Sequence, residues 1–426
     1  MTERTNLDRD LASYFEARST HRAPAGLLEA TMAGVDQTPQ RAAWRLTGRR
    51  LADYLPEIWM PPASARLVLA VAMLIVALAI GVIVVASSQR RLPPPFGPAK
   101  PGLLVVEISG HIGLMNADGT GLTMLTSAPE VDHFPIWSPD GTRIAFVASR
   151  DLSVALVVMD ANGAHRTTLA DHLGVVVGVR GGVHFGSEVP MSWSPDGRHI
   201  VFVASVADRA QLYVTPTDRP AVERIGPADL YGVSPSWSPD GTQIAFRRLY
   251  GGSQPDEVWV VRPNGEDLHK LSDSPAVIDV FPGAAWAPDG KRLAFLAEGT
   301  SHNQDVYVIN ADGTDQRNLT NSPEDEQWAS WSPDGTRLVF SRFPGAESTF
   351  VIDADGSNRI ELPTDGHGIS TPAWSPDGSR IVGYRDFGLM HAASDGLVVL
   401  DPSGHDRPVF IPEPAFGSIT WQRLAP

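Results

Sequence analysis

Apolar residues follow three patterns along the chain, and each pattern predicts a different kind of element. Residues 67–86 form one uninterrupted run, LVLAVAMLIVALAIGVIVVA, which as a helix is long enough to cross about 30 Å of hydrocarbon. Before it, apolar residues recur at helical spacing in two short stretches. From residue 103 onward, short apolar runs rich in β-branched residues alternate with turn residues, which predicts many short strands.

The apolar run predicts a transmembrane helix over residues 66–88. A soluble helix of this length ordinarily carries a polar face, and this run has none. Arg66 precedes the run and Arg90 and Arg91 follow it, so the flanking positive charges do not decide the orientation. A short N-terminal segment before a large domain is the ordinary signal-anchor arrangement. We therefore expect a single-pass protein of the cell membrane with its N-terminus in the cytoplasm and the large domain outside.

The segments on either side of the predicted helix differ in composition. Residues 1–65 predict a partly helical cytoplasmic segment, which either helps to set the topology or docks a cytoplasmic protein. Residues 89–102 contain the run RRLPPPFGPAKPG, which predicts a stiff proline-rich linker between the membrane and the next domain.

A five-residue string, WSPDG, recurs through the rest of the chain. Its tryptophans, including a WAPDG variant and a degenerate last copy, are Trp137, Trp193, Trp237, Trp286, Trp331, Trp374 and Trp421. They span 284 residues in six intervals, a mean spacing of about 47 residues. This is close to the size of one four-stranded propeller blade.

The residues of the repeat are those of a hairpin turn that directly follows a large apolar side chain. Proline presets φ, aspartate accepts bonds from nearby amides, and glycine takes the positive φ that the turn needs. The tryptophan is expected to wedge against the neighbouring blade. These residues are therefore expected to serve folding, and replacing Gly141 or Gly335 is expected to damage stability before activity.

The number of blades follows from the register of the repeat. Six complete units begin at the first six tryptophans, and the C-terminus adds only GSITWQRL, the tryptophan strand of a seventh. The missing strands of that unit are LLVVEIS, IGLMNADG and LTMLT near residue 103. The chain ends then share one blade and close the ring. We predict an all-β, seven-bladed propeller of four-stranded antiparallel blades over residues 103–426, with six blades as the alternative if one unit is irregular.

The repeat WSPDGxxIAF followed by YVxNADGT resembles the TolB-type, WD-repeat-like propeller unit, which is also found in propellers that precede prolyl-oligopeptidase hydrolase domains. The resemblance covers residues 103–426 and implies a fold that mostly binds. An apolar span stands where TolB has a small α/β domain, so a Pal-type partner is not implied.

Composition narrows the function classes further. The net charge is −15, and nearly all of the acidic excess lies after residue 100, which disfavours binding to nucleic acid. The sequence contains no cysteine, which rules out disulfides, thiolate metal sites and a cysteine nucleophile. No cofactor is expected.

Candidate site residues precede the tryptophan strands, where the loops of different blades would meet at one mouth of the central tunnel. They are the acidic and histidine residues Asp132, His133, His184, Glu188, Asp279, Glu326 and His367. Such side chains could converge on a cation, but polar residues are also usual at wet loop tips. Whether a metal binds there is left open.

The function predicted from these features is a membrane-anchored propeller that binds or senses a protein or small-molecule ligand outside the cytoplasm, without catalysis. A peptidase is disfavoured because no G-x-S-x-G elbow is present in the sequence. Two alternatives remain: a metal-assisted enzyme at the tunnel mouth, and a transmembrane regulator whose N-terminal segment holds a cytoplasmic factor.

Overall fold

The computed structural model describes residues 97–150, 153–173, 191–206, 209–250, 256–272, 277–279, 286–299, 302–342, 348–364, 368–385, 396–405, 408–411 and 419–424. The predicted N-terminal segment, the predicted transmembrane helix and most of the linker lie outside these ranges. The described residues form strands and turns, and they include no helix with the length and hydrophobicity that membrane crossing requires.

Seven four-stranded antiparallel sheets make up the described structure, which confirms the seven-bladed prediction. The first four blades contain sixteen strands. Blade 1 has β28 (Thr420–Leu424), β1 (Lys100–Ile108), β2 (His111–Met115) and β3 (Thr123–Met124); blade 2 has β4 (Val131–Trp137), β5 (Arg143–Arg150), β6 (Ser153–Asp160) and β7 (Thr167–Leu173); blade 3 has β8 (Met191–Trp193), β9 (His199–Val206), β10 (Arg209–Pro216) and β11 (Glu223–Arg224); blade 4 has β12 (Gly232–Trp237), β13 (Ile244–Arg248), β14 (Glu257–Val261) and β15 (His269–Lys270).

The remaining three blades repeat the same order. Blade 5 has β16 (Val277–Asp279), β17 (Arg292–Glu298), β18 (Gln304–Asn310) and β19 (Arg317–Asn318); blade 6 has β20 (Glu326–Trp331), β21 (Arg337–Arg342), β22 (Ser348–Asp353) and β23 (Ile360–Leu362); blade 7 has β24 (Ile369–Trp374), β25 (Ile381–Arg385), β26 (Gly396–Leu400) and β27 (Val409–Ile411). The first strands of neighbouring blades contact one another, as β20 contacts β24 and β4 contacts β28, so the first strand of each blade lies nearest the propeller axis.

The second strand of each blade supplies much of the core. It is apolar at consecutive positions because both of its faces are covered by neighbouring sheets. Phenylalanines nine residues after the repeat tryptophan recur at the centre of these strands and are at most 2% exposed: Phe146, Phe202, Phe246, Phe295 and Phe340. The hydrophobic clusters combine residues of two adjacent blades, so most of the apolar burial occurs in the seams between blades.

The repeat tryptophans link each blade to the one before it, as the sequence predicted. The indole N–H of Trp374 donates to the carbonyl of Ser330, the residue before the tryptophan of the preceding blade, at 3.2 Å. The same bond recurs at Trp193, Trp286 and Trp421. Arginines six residues after the preceding tryptophan stack on three of the indole rings, as Arg337 does on Trp374 at 5.0 Å.

The SPDG turns are closed by side-chain hydrogen bonds. Ser332 Oγ donates to Asp334 Oδ1 at 2.6 Å, and the backbone N–H of Thr336 donates to the same oxygen at 3.0 Å. Burial alone would raise the pKa of the turn aspartates, but these donors outweigh it and the net pKa is lowered at Asp140, Asp196, Asp240, Asp334 and Asp377. Gly141 and Gly335 have φ of 66° and 68°, as the turn requires.

The chain ends close the ring in blade 1, as predicted. β28 pairs with β1 antiparallel, with Trp421 opposite Leu104. Gln422 then ties the closing strand to two neighbours: its Oε1 accepts from the Leu103 N–H at 3.1 Å, and its Nε2 donates to the Gly141 carbonyl at 2.8 Å. The C-terminal strand β28 is the innermost strand of blade 1 and completes that sheet at the position nearest the axis.

Candidate active site

A β-bulge interrupts the innermost strand of at least four blades. In β4 the register shifts between His133 and Ile136, and Phe134 within the bulge has a φ of 54°. The equivalent residues three positions before the tryptophan have φ between 49° and 54°: Ser234, Trp328 and Thr371. Bulges of this kind redirect side chains next to a strand and recur beside active sites. The residues around them are therefore placed by the fold itself.

His133 precedes the bulge in blade 2 and contacts a buried carboxylate of blade 1. Its Nδ1 lies 2.8 Å from Oε1 of Glu107 on β1. The second oxygen of Glu107 accepts from the Phe134 N–H at 3.2 Å. The Glu107 side chain is 5% exposed and that of His133 is 19% exposed. A carboxylate held at both oxygens thus fixes the orientation of a partly accessible imidazole.

Tyr384 brings blade 7 to the same carboxylate. It lies on β25 and is 3% exposed. Burial, and then the charge of Glu107, raise the pKa of the tyrosine hydroxyl. Blades 7, 1 and 2 therefore contribute one polar group each to this region.

Asp132, next to His133, is placed differently. It is 0% exposed, and the side chain of Thr126 acts on its carboxylate as a hydrogen-bond donor. The Arg166 guanidinium is its nearest charge, with Nη2 3.8 Å from Oδ1, but that group already donates to Glu130 at 2.8 Å. Burial raises the pKa of Asp132. Nδ1 of His111, across the seam on β2, is buried without a partner among the described residues.

Glu326 holds the matching position in blade 6, but its carboxylate is fully satisfied. Oε2 lies 3.0 Å from the Thr320 hydroxyl, and Oε1 accepts from Nη2 of Arg342 at 3.2 Å. Asp305 of blade 5 lies across the seam and is also 0% exposed. Burial, and the neighbouring Asp305, raise the pKa of Glu326 to about 7. This seam is a closed polar network.

Strand register shows why the two seams differ. Glu326 pairs with Arg342 across β20 and β21, whereas Asp132 pairs with Ala148 across β4 and β5. Side chains of cross-strand partners lie on the same face of a sheet. The arginine that satisfies the acid of blade 6 is therefore replaced by a methyl group in blade 2.

The candidate residues predicted from sequence fall into three groups. Asp132 and Glu326 lie inside seams between blades, and His133 lies at the inner strand of blade 2. Asp279 belongs to β16, whose side chains are not described, and the remaining predictions, His184, Glu188 and His367, lie outside the described residues. Across the described ranges, no three His, Asp or Glu side chains form a group that could hold a metal.

Glu107 and Arg342 are the functional candidates that sequence reasoning missed. Both follow an apolar run in a second strand, as Glu107 does in LLVVEIS. A charged residue next to such a run can indicate a functional site, because a strand that is covered on both faces buries a charge only where a hydrogen-bonding or oppositely charged partner is present.

Part of the propeller is similar in sequence to known proteins. Residues 233–408 match the sequence model of the TolB beta propeller domain. The chain is 31% identical over 100 residues to the Tol-Pal system protein TolB of Anaeromyxobacter dehalogenans (strain 2CP-C), covering 23% of this chain and 21% of that protein. It is 29% identical over 183 residues to the uncharacterized peptidase YuxL of Bacillus subtilis (strain 168), covering 41% of this chain and 24% of that protein. The matched segments span about a quarter or less of these relatives.

Two solved structures share the fold with this chain. A puromycin hydrolase mutant complexed with PGG superposes with a TM-score of 0.55 at 17% identity, covering 77% of this chain and 55% of that one. An oligogalacturonate lyase in complex with manganese superposes with a TM-score of 0.51 at 17% identity, covering 78% of this chain and 85% of that one.

These comparisons correct the predicted absence of catalysis. The sequence repeat was interpreted as a module that only binds, because its most visible residues build turns and wedges. The peptidase relative and the lyase and hydrolase neighbours are named as enzymes, which contradicts that prediction. The resemblance stated from the repeat is supported for the fold: the chain forms a seven-bladed β-propeller, and residues 233–408 match the TolB beta propeller domain.

Proposed function

We propose that the propeller is the catalytic domain of an enzyme that removes a proton from an acidic saccharide, with His133 as general base and Glu107 as the residue that orients it. The observation that carries the proposal is the 2.8 Å contact between His133 Nδ1 and Glu107 Oε1. With the carboxylate at Nδ1, we assign the exchange of a proton with the substrate to Nε2. The bulge at Phe134 holds this pair at the inner strand.

The reaction class follows from what one oriented imidazole can do. In a uronic acid, the hydrogen on the carbon beside the carboxylate is acidic enough for a base to remove. The electron pair left behind forms a carbon–carbon double bond as the glycosidic C–O bond on the next carbon breaks. The departing oxygen takes a proton from water on the opposite face of the ring, and the imidazolium releases its own proton to water, so the step balances without a further reactant.

Coverage of the relatives favours this class over a serine peptidase. The lyase is matched over 85% of its chain, so a propeller of this kind makes up most of that enzyme. The puromycin hydrolase is matched over 55% of its chain, so the propeller makes up a smaller part of that enzyme. The described residues do not offer a ligand set for the manganese of the lyase, and no step is assigned to a metal.

Product analysis tests the proposal. The full chain is incubated with oligogalacturonates and, separately, with neutral oligosaccharides of the same length. Elimination is followed by the ultraviolet absorbance of the new conjugated double bond, and products are identified by mass spectrometry. We expect unsaturated products from the acidic substrate only. Intact oligogalacturonates after prolonged incubation at several pH values would overturn the proposal.

The membrane anchor over residues 66–88, the extracytoplasmic position of the propeller and a cytoplasmic partner for residues 1–65 stay predictions from sequence. An acidic polysaccharide substrate is consistent with a propeller outside the cytoplasm. Protease accessibility of the propeller in intact cells tests this topology, since an external domain is cleaved without lysis and a cytoplasmic one is protected.

A further inference from the structure

A groove opens in the seam between blades 1 and 2, on the side of blade 2 that faces blade 1. Its volume is about 520 Å³, within the range of small-molecule sites. The floor is apolar and consists of Ala148, Ala155 and Val157. The walls are polar and consist of Glu130, Arg150, Ser153, Arg166 and Thr168.

Asp132 lies next to this floor, but it is 0% exposed and does not line the groove. It pairs with Ala148 across β4 and β5, and Ala148 pairs with Ala155 across β5 and β6. The three side chains therefore form one row on one face of the sheet.

Blade 6 shows which larger side chain the same position can hold. There Arg342 occupies the position of Ala148, donates to the carboxylate of Glu326 and packs on Phe350 at 4.7 Å. In blade 2 the methyl group of Ala148 stands in its place and forms part of the groove floor.

The outer end of the groove carries a positive charge. Two arginines against one glutamate give the lining a formal charge of +1, in a chain whose net charge is −15. Arg166 is engaged by Glu130 at 2.8 Å, whereas the Arg150 guanidinium has no ion-pair or hydrogen-bond partner among the described residues. An unpaired guanidinium is a ready site for a carboxylate.

We infer that this groove is a subsite for one uronic acid unit of a saccharide, with Arg150 taking the sugar carboxylate. Ser153 and Thr168 offer further donors, and the alanine floor suits the apolar face of a sugar ring. The inference rests on the proposed function for its substrate class. Glu130, Asp132 and His133 follow one another along the same segment, so the groove opens about 10 Å from the base.

Binding of monosaccharides to the full chain tests the subsite separately from catalysis. Galacturonate and galactose have the same ring hydroxyls and differ at one carbon, carboxylate against hydroxymethyl, and neither has a glycosidic bond to break. We expect titration calorimetry to show galacturonate binding about tenfold more tightly than galactose. Arg150→Gln is expected to remove that preference, and Arg219→Gln, at an exposed arginine paired with Asp218, to leave it intact.

A second variant rebuilds in blade 2 what blade 6 already has. Ala148→Arg is expected to weaken galacturonate binding at least tenfold by filling the groove. Val222→Arg places the same side chain at an exposed position and serves as the control. Unchanged galacturonate binding in a folded Ala148→Arg protein would contradict the subsite.

The outcomes separate the subsite from the reaction. Galacturonate binding that depends on Arg150, without any cleavage of oligogalacturonates, supports the subsite and rejects the proposed function. Equal affinity for galactose and galacturonate, unchanged affinity in Arg150→Gln, or preferential binding of an alanyl-alanine dipeptide would each overturn the subsite, whatever the result of the cleavage assay.

Discussion

Asp305 and Glu326 lie on neighbouring blades and share one hydroxyl group: Thr320 Oγ1 is 3.3 Å from Asp305 Oδ1 and 3.0 Å from Glu326 Oε2. One hydroxyl proton cannot serve two carboxylates. The arrangement is satisfied when Thr320 donates to Asp305 and a protonated Glu326 donates to Thr320. The raised pKa of Glu326, about 7, agrees with that assignment.

This pair makes folding stability depend on pH. The pKa of Glu326 is higher in the folded chain than its ordinary value of 4.5, so the stabilisation is present in full below pH 4.5 and is lost as pH rises through about 7. We expect Glu326→Gln, which cannot lose a proton, to match the natural chain near pH 5 and to be the more stable of the two at pH 8. Thermal unfolding of both proteins across this range gives the comparison.

Glu324→Gln is the control for that experiment, because Glu324 approaches the same Arg342 at 3.6 Å but its side chain is 43% exposed. Its stability difference from the natural chain is expected to stay constant between pH 5 and pH 8. A Glu326→Gln difference that is equally flat would contradict the shared proton.

The tryptophan of each repeat is predicted to stabilise the seam rather than take part in chemistry. Trp374→Ala removes a side chain that is 7% exposed, its bond to Ser330 and its stacking with Arg337. We expect a loss of about 3–5 kcal/mol in the free energy of unfolding. Trp374→Phe keeps part of the wedge and is expected to lose less, measured by denaturant unfolding. Equal losses in the two variants would show that ring packing contributes nothing.

Alanine substitutions at two glycines of the repeat turn distinguish local backbone strain from contact with the closing strand. Gly141 and Gly335 have nearly the same positive φ, so alanine costs each about 1–2 kcal/mol. A Cβ at Gly141 would also lie 2.4 Å from the carbonyl oxygen of Arg423 on the closing strand, whereas at Gly335 the nearest atom is Pro288 Cδ at 3.4 Å. Gly141→Ala is therefore expected to be the more destabilising variant in thermal unfolding. Equal losses of stability in the two variants would mean that the closing strand moves away from the new Cβ without lowering stability further.

Much of the fold could be predicted from sequence because its signals are local. The WSPDG turn is specified by the positive φ of its glycine and by the hydrogen bonds of its aspartate. These bonds join residues inside the string or immediately next to it. Six copies then set the blade size, and the lone strand around Trp421 set the closure. Each of these features depends on neighbours in sequence.

The candidate site could not be predicted as fully because its pairs form between blades. Glu107 and His133 are 26 residues apart, and nothing in that spacing indicates contact until the blades are stacked. Asp132 was recognised as an acid ahead of a tryptophan but was expected at a wet tunnel mouth. Its burial follows from pairing with Ala148 and could not be inferred from polarity alone.

The central claim is tested most directly by the cleavage rate of His133→Ala against that of His165→Ala. His165 also contacts a carboxylate, with Nδ1 2.6 Å from Asp160 Oδ2, but its side chain is 84% exposed in a turn of blade 2. We expect His133→Ala to lose about 100-fold or more in kcat on oligogalacturonates, and His165→Ala to keep the natural rate. Equal rates in all three proteins would contradict the assignment of His133 as the base.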